Sequence, residues 1–281
     1  LNPAFSPESY FWLIGLGLGV GVYGTLIGAG GGFVLMPVLL ILYPKMPPEI
    51  LTAISLAVVF FNAASGSESY AIMKRIDYKS GLMFAAATIP GAIIGALNTA
   101  SVPRHVFNGI FAVILVGAAT FLILRPNLES QARERQGQHH PEAHRHLVAM
   151  GGETYDYAFN PLVGIGISFF VGYASSFLGI GGGIIHVPVL IYLLGFPVHV
   201  ATATSHFILA IMALTGTLVH IWTGDLSTGV NQTLALAIGV LLGAPLGAQL
   251  SNRIRGPWIV RSLALALGLA GIRIGLMFFK G

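Results

Sequence analysis

The sequence predicts an all-α integral membrane protein built from two inverted repeats, each opening with a glycine-broken, discontinuous or re-entrant, helical segment followed by three transmembrane helices. Three observations carry this: the scarcity of charge, a series of long apolar stretches, and a glycine-rich segment that occurs twice. Hydrophobic residues make up 55% of the chain and charged residues 9%, against about 25% charged in a soluble domain. Apolar stretches run over 10–43, 49–71, 79–99, 106–124, 161–194, 198–223, 230–250 and 257–279. Each is long enough for the roughly 20 residues that a helix needs to cross hydrocarbon. The net charge of +4 sits in short loops beside these stretches and reads as a topology signal, so lipid and not nucleic acid is the expected partner. With no cysteine, disulfides, thiolate metal sites and thiol chemistry drop out.

The first element, within 10–43, contains GTLIGAGGGFVLMPVLLILY from Gly24 to Tyr43, and SSFLGIGGGIIHVPVLIYLL from Ser175 to Leu194 matches it without a gap. Gly28 falls on Gly179, the triplet Gly30, Gly31, Gly32 on Gly181, Gly182, Gly183, and Pro37 on Pro188. Downstream, TAIS at Thr52–Ser55 falls on TATS at Thr202–Ser205, Gly66 on Gly216, and GAIIGA at Gly91–Ala96 on GAPLGA at Gly243–Ala248. Residues 1–124 therefore form one transmembrane repeat and 161–281 the other. Residues 125–160 form a polar, His-rich cytoplasmic connector. Its His139, His140, His144 and His146 belong to residue types that bind metals, but the expected state is a flexible linker with no metal.

Glycine in a helix interior costs about 1 kcal/mol, so three together should break it. The 11 residues after each break (Phe33–Tyr43 and Ile184–Leu194) make about 16 Å of helix at 1.5 Å per residue. Each long segment is then either one bent crossing or a path that enters and returns. If it returns, Lys74, Arg75, Lys79, Arg125, Arg133, Arg135, Arg145, Arg253, Arg255 and Arg261 share one side and only Lys45, Arg104 and Lys280 lie opposite. If it crosses once, the division is eight against five. Cytoplasmic loops carry the excess of Lys and Arg, which favours the returning path, an odd number of crossings per half, inverted repeats and both termini outside the cytoplasm.

Irregular backbone at membrane depth is tolerated only inside protein or around water, so the two breaks mark a central cavity. Each opens a short helix whose free N–H groups and positive dipole end suit an anion, and glycine lets that anion approach the backbone. The substrate-binding candidates are Gly30, Gly31, Gly32, Gly181, Gly182 and Gly183. Asn62, Ser65, Ser205 and His206 join them from the helices that follow, because polar groups in lipid face the protein interior. Thr52, Ser55, Thr202, Thr204, Thr215 and His220 are neighbours of the same kind. Glu68 and His186 are the coupling candidates, Glu68 as a carboxylate placed in an apolar segment. Pro37 and Pro188 are structural. Gly15, Gly17, Gly19, Gly21, Gly91 and Gly95 read as helix-packing glycines, and Trp12, Trp222 and Trp258 as interfacial aromatics. An intramembrane metal hydrolase would need His186, His206 and His220 together, but no HExxH or comparable spacing supports it.

With GAGGGFVLMP and GIGGGIIHVP each followed by a T-A-x-S segment, the chain resembles the TauE/SafE family of sulfite and organosulfonate exporters over almost its whole length. The resemblance implies an inner-membrane carrier for sulfur oxyanions or small organosulfur anions, and the expected function is a secondary transporter exporting sulfite or a small organosulfonate by alternating access. No cofactor, no metal and no enzymatic activity are expected. The family motif falls on the two glycine triplets with Pro37 and Pro188. Uptake by the same fold and an anion channel are the alternatives, and a coupling proton or other ion is the expected second partner.

Overall fold

The computed structural model describes residues 7–124, 143–251, 253–254 and 256–280. The first half contains α1 (Pro7–Leu26), α2 (Gly32–Leu42), α3 (Pro48–Ile72), α4 (Tyr78–Thr99) and α5 (Arg104–Leu124). The second contains α6 (Pro161–Leu178), α7 (Gly183–Pro188), α8 (Val198–Trp222), α9 (Val230–Ser251) and α10 (Gly256–Lys280). Among the described residues six helices are long and apolar enough to cross a membrane: α3, α4, α5, α6, α8 and the span from Asp225 to Ser251. Their outer faces are apolar, as at Leu82, Val113, Phe170, Leu218 and Leu242, which only lipid accommodates at this scale. This is a multi-pass membrane protein.

The two breaks form as the glycines predict. Gly28, Gly30 and Gly31 take φ of 73°, 75° and 77°, and Gly179, Gly181 and Gly182 take 67°, 77° and 59°, a region closed to most side chains. Pro37 stays inside a regular α2. Pro188 instead ends α7, and the chain continues as a π-helical turn over Val189–Leu193, which fits a residue that lacks an N–H for the i−4 carbonyl.

Helices pair across the halves in a pseudo-symmetric pattern: α1 packs on α9, α4 on α6, α3 on α8 and α5 on α10. A Cβ at Gly21 would stand 2.8 Å from Val240 Cα, one at Gly247 would meet Val22 and Leu26, and one at Gly239 would meet Ile14 and Leu18, so α1 and α9 run parallel. Gly91 against Phe169 and Tyr173, and Gly95 against Tyr173 and Phe177, put α4 and α6 in the same relation. By contrast α3 and α8 are antiparallel, with Gly66 beside His206 and Gly216 beside Leu56. Gly17, Gly21, Gly91 and Gly95 are thus packing glycines, whereas Gly15 and Gly19 have nothing within 4 Å. Their lack of a side chain serves no helix contact.

Part of the connector departs from the expected flexible linker. Residues Ala143–Val148 (β1) and Thr154–Phe159 (β2) form an antiparallel hairpin docked on the turn between α3 and α4. Arg145 Nε lies 3.3 Å from the buried Asp77 carboxylate, and the Tyr157 hydroxyl donates to Asp77 at 2.8 Å. Met150 N donates to Met73 O at 3.1 Å. Tyr157 and Phe159 pack at tilted angles against Phe196, beyond the π turn. Burial and the Asp77 carboxylate both push the Tyr157 phenol up. The alternating Tyr155, Tyr157 and Phe159 give β2 the face that packs. His144 is exposed on β1 and His146 pairs with Asp156 at 2.6 Å, while His139 and His140 lie outside the described residues, as do Arg125, Arg133, Arg135 and Arg255.

Candidate functional site

The two glycine loops touch each other backbone to backbone. A Cβ at Gly32 would stand 2.6 Å from Ile180 O, and one at Gly183 would stand 2.5 Å from Ala29 Cα. Each loop is also held by the opposite half in the same way: Ser55 Oγ donates to Gly179 O at 2.5 Å, and Ser205 Oγ donates to Gly28 O at 3.3 Å. Ser55 and Ser205 are equivalent in the duplicated sequence, as are Gly28 and Gly179. Glycine is required here because two main chains cross where any side chain would separate them. The N–H groups of Gly31, Gly32 and Phe33, at the start of α2, donate to no backbone carbonyl, and neither do those of Gly181, Gly182 and Ile184.

Beside the crossing lies a buried polar cluster. Thr25 Oγ1 donates to Asn62 Oδ1 at 3.0 Å and sits 3.3 Å from His206 Nε2. The Tyr70 hydroxyl donates to Thr25 O at 2.7 Å, and its ring meets the His206 imidazole edge-on. The imidazole also lies against the backbone of Gly28 and Asn62. Thr25, Asn62 and His206 are fully buried, yet Asn62 Nδ2 has no hydrogen-bond partner, and a buried donor without a partner costs about 1–3 kcal/mol. The cluster has no counterpart on the other side of the crossing: the equivalents of Thr25, Asn62 and His206 are Ser176, Met212 and Leu56.

Of the sequence candidates, the six triplet glycines, Asn62, Ser205 and His206 are brought together. Ser65 faces α9, its hydroxyl 3.4 Å from Leu241 O. His186 is buried but pairs with Ser168 Oγ at 3.0 Å, away from this cluster. Glu68 is exposed, on the side of α3 opposite Gly66, so the burial that marked it as a proton carrier is not found. His186, His206 and His220 do not converge, and among the described residues no three metal-ligating side chains do. Sequence reasoning missed Thr25 and Tyr70. The hydroxyl shared by Thr25 and Ser176 in the matched segments was the available signal for the first.

A membrane-embedded helical bundle in which two broken helices meet beside a buried, incompletely bonded polar cluster defines the transporter class. The chain belongs to the family described as sulfite exporter TauE/SafE, whose profile matches residues 13–274. It is similar to the probable membrane transporter protein YunE of Bacillus subtilis strain 168, 33% identical over 278 residues, covering 95% of this chain and 97% of the relative. It is also similar to a probable membrane transporter protein of Methanocaldococcus jannaschii, 23% identical over 92% of this chain and 93% of that one, and to the probable membrane transporter protein YjnA of Bacillus subtilis, 26% identical over 92% and 97%. No solved structure gives a significant match. The protein is a membrane transporter that moves a small solute, not an enzyme.

Proposed function

We propose that the chain is a secondary transporter exporting a small sulfur-containing anion, sulfite or a small organosulfonate, across the inner membrane by alternating access. The observation that carries this reading is the unfilled donor set at the loop crossing: the N–H groups opening α2 and Asn62 Nδ2. These are uncharged donors, suited to hold an anion through dipoles and to release it. The parallel α1/α9 and α4/α6 pairs and the antiparallel α3/α8 pair are what two inverted repeats would produce, with the loop crossing near their common axis. The antiparallel α3/α8 pair also supports glycine-broken segments that enter and return, since single crossings would make α3 and α8 run the same way.

Reconstituted vesicles preloaded with sulfite, sulfate, thiosulfate, sulfoacetate or taurine test the reading by counterflow of the same labelled anion. Saturable exchange of sulfite or a sulfonate is the expected result. Exchange of none of them rejects the substrate class, and flux far above carrier turnover turns the reading to a channel.

A further inference from the structure

Buried polar atoms without partners are few in folded proteins and each calls for an unseen water or ligand. In the second half three of them lie along one route: His220 Nε2, Ser176 Oγ and Ser175 Oγ. The route begins at Asp225, on the turn after α8, whose side chain is 21% exposed and whose Oδ2 lies 2.9 Å from His220 Nδ1. The same oxygen accepts from Thr223 Oγ1 at 2.6 Å. The His220 side chain is fully buried, one helical turn beyond Gly216. A Cβ at Gly216 would stand 3.1 Å from Ser176 Oγ, and one at Gly182 would stand 2.9 Å from Ser175 Oγ. The carboxylate and imidazole thus reach inward from the surface, Ser176 Oγ lies against α8 one turn before His220, and Ser175 Oγ lies against the second glycine loop.

The carboxylate fixes Nδ1 as the donor nitrogen and leaves Nε2 to accept on the inner side. The charged groups facing the imidazole are Asp225 and, from α3, Glu49; α6, α7 and α9 contain no Asp, Glu, Lys or Arg. At the equivalent position of the first half stands Tyr70, whose hydroxyl is used on Thr25 O. Only one half thus carries a titratable relay.

We propose that the Asp225–His220 pair is a proton-binding site that couples solute movement to a proton gradient, with Ser176 and Ser175 leading to the glycine loop. A proton bound there sits on the imidazole, balanced by the Asp225 carboxylate. It leaves through Nδ1 to Asp225 on the solvent side, or through Nε2 and the hydroxyls on the loop side. The inference rests on the carrier reading above, and its test keeps the two apart.

Full-length protein carrying nitrogen-15 histidine in lipid nanodiscs is titrated over about pH 4 to 9, the range in which imidazoles change charge. The His220 signal is assigned by its loss in His220→Gln. It is expected to change protonation within that range, with the transition displaced in Asp225→Asn; a ring that keeps one protonation state throughout overturns the proposal whatever the protein transports. In vesicles, the response of sulfite uptake to an imposed pH gradient is expected to fall to the gradient-free control in both variants. A full gradient response in either well-folded variant overturns coupling through this pair. Wild-type sulfite exchange with no pH response overturns coupling but leaves the carrier reading intact. Absence of any sulfite exchange rejects sulfite as substrate, and the titration alone then decides the pair.

Discussion

Asn62 separates a binding role from a structural one more cleanly than the glycines do. Its carbonyl accepts from Thr25, but its amide nitrogen is buried without a partner. Asn62→Leu, close in size, removes that orphaned donor and forfeits one hydrogen bond worth about 1 kcal/mol. The two effects oppose, so unfolding stability is expected to stay within about 1 kcal/mol while anion exchange falls at least about tenfold, the equivalent of one lost contact of 1.4 kcal/mol. Thermal unfolding and counterflow measured on one preparation check this; unchanged exchange would remove Asn62 from the site. Gly31→Val is a harsher change, since φ is 77° and its Cβ would stand 2.7 Å from Val20 O. Loss of both fold and transport is expected there, with detergent-solubilised protein eluting as aggregate. These glycines were legible in the sequence because a triplet states its own conformational requirement. The cluster of Thr25, Asn62 and His206 was only partly so. Thr25 and His206 are separated by 181 positions, and which helix faces meet across that distance is decided by packing. The same holds for Glu68, whose helix was evident but whose exposed face was not.

Elements divide along the same line. Apolar length alone marks α3, α4, α5, α8 and α9, because lipid demands a fixed span. The hairpin escaped notice because two six-residue strands follow a run of charged and histidine residues that dominates the composition of the connector. Its attachment is testable. Arg145→Met leaves the buried Asp77 with Ser80 and Tyr157 but without its cation, and removing one partner of a buried pair costs up to about 3–5 kcal/mol. Amide exchange in 143–159 is therefore expected to accelerate strongly while that in α3 changes little. Equal protection in variant and wild type would mean that apolar packing on Phe196 holds the hairpin alone. On α1, Gly15→Ala and Gly19→Ala meet no atom within 4 Å and should be neutral or stabilising, by up to about 1 kcal/mol each from helix propensity. Gly17→Ala drives a methyl into the Leu236 carbonyl and should lower the unfolding temperature. The three glycines are indistinguishable in sequence, and only the position of α9 sorts them.

At the scale of the molecule the remaining question is which ends share a side of the membrane. The turns at 43–47, 100–103 and 223–229 group together if both glycine-broken segments enter and return, with the 73–77 turn and the hairpin opposite them, and the excess of Lys and Arg assigns the hairpin side to the cytoplasm. Ser101 lies opposite the hairpin under either path, so it serves as the reference. Ser227 decides. If the segment 161–194 returned, Ser227 shares the side of Ser101; if it crossed once, Ser227 joins the hairpin, because one crossing fewer separates them. Ser101, Ser227, His144 and Gly151 are all exposed, and the chain has no cysteine, so Ser101→Cys, Ser227→Cys, His144→Cys and Gly151→Cys each give one addressable thiol. An impermeant maleimide applied to intact cells is expected to label the first two, and the last two only after permeabilisation. Labelling of Ser227→Cys together with His144→Cys would mean a single crossing and would remove the inverted repeat. Labelling of His144→Cys and Gly151→Cys alone from outside would keep the repeat and reverse its orientation, placing the Asp225–His220 pair on the cytoplasmic side.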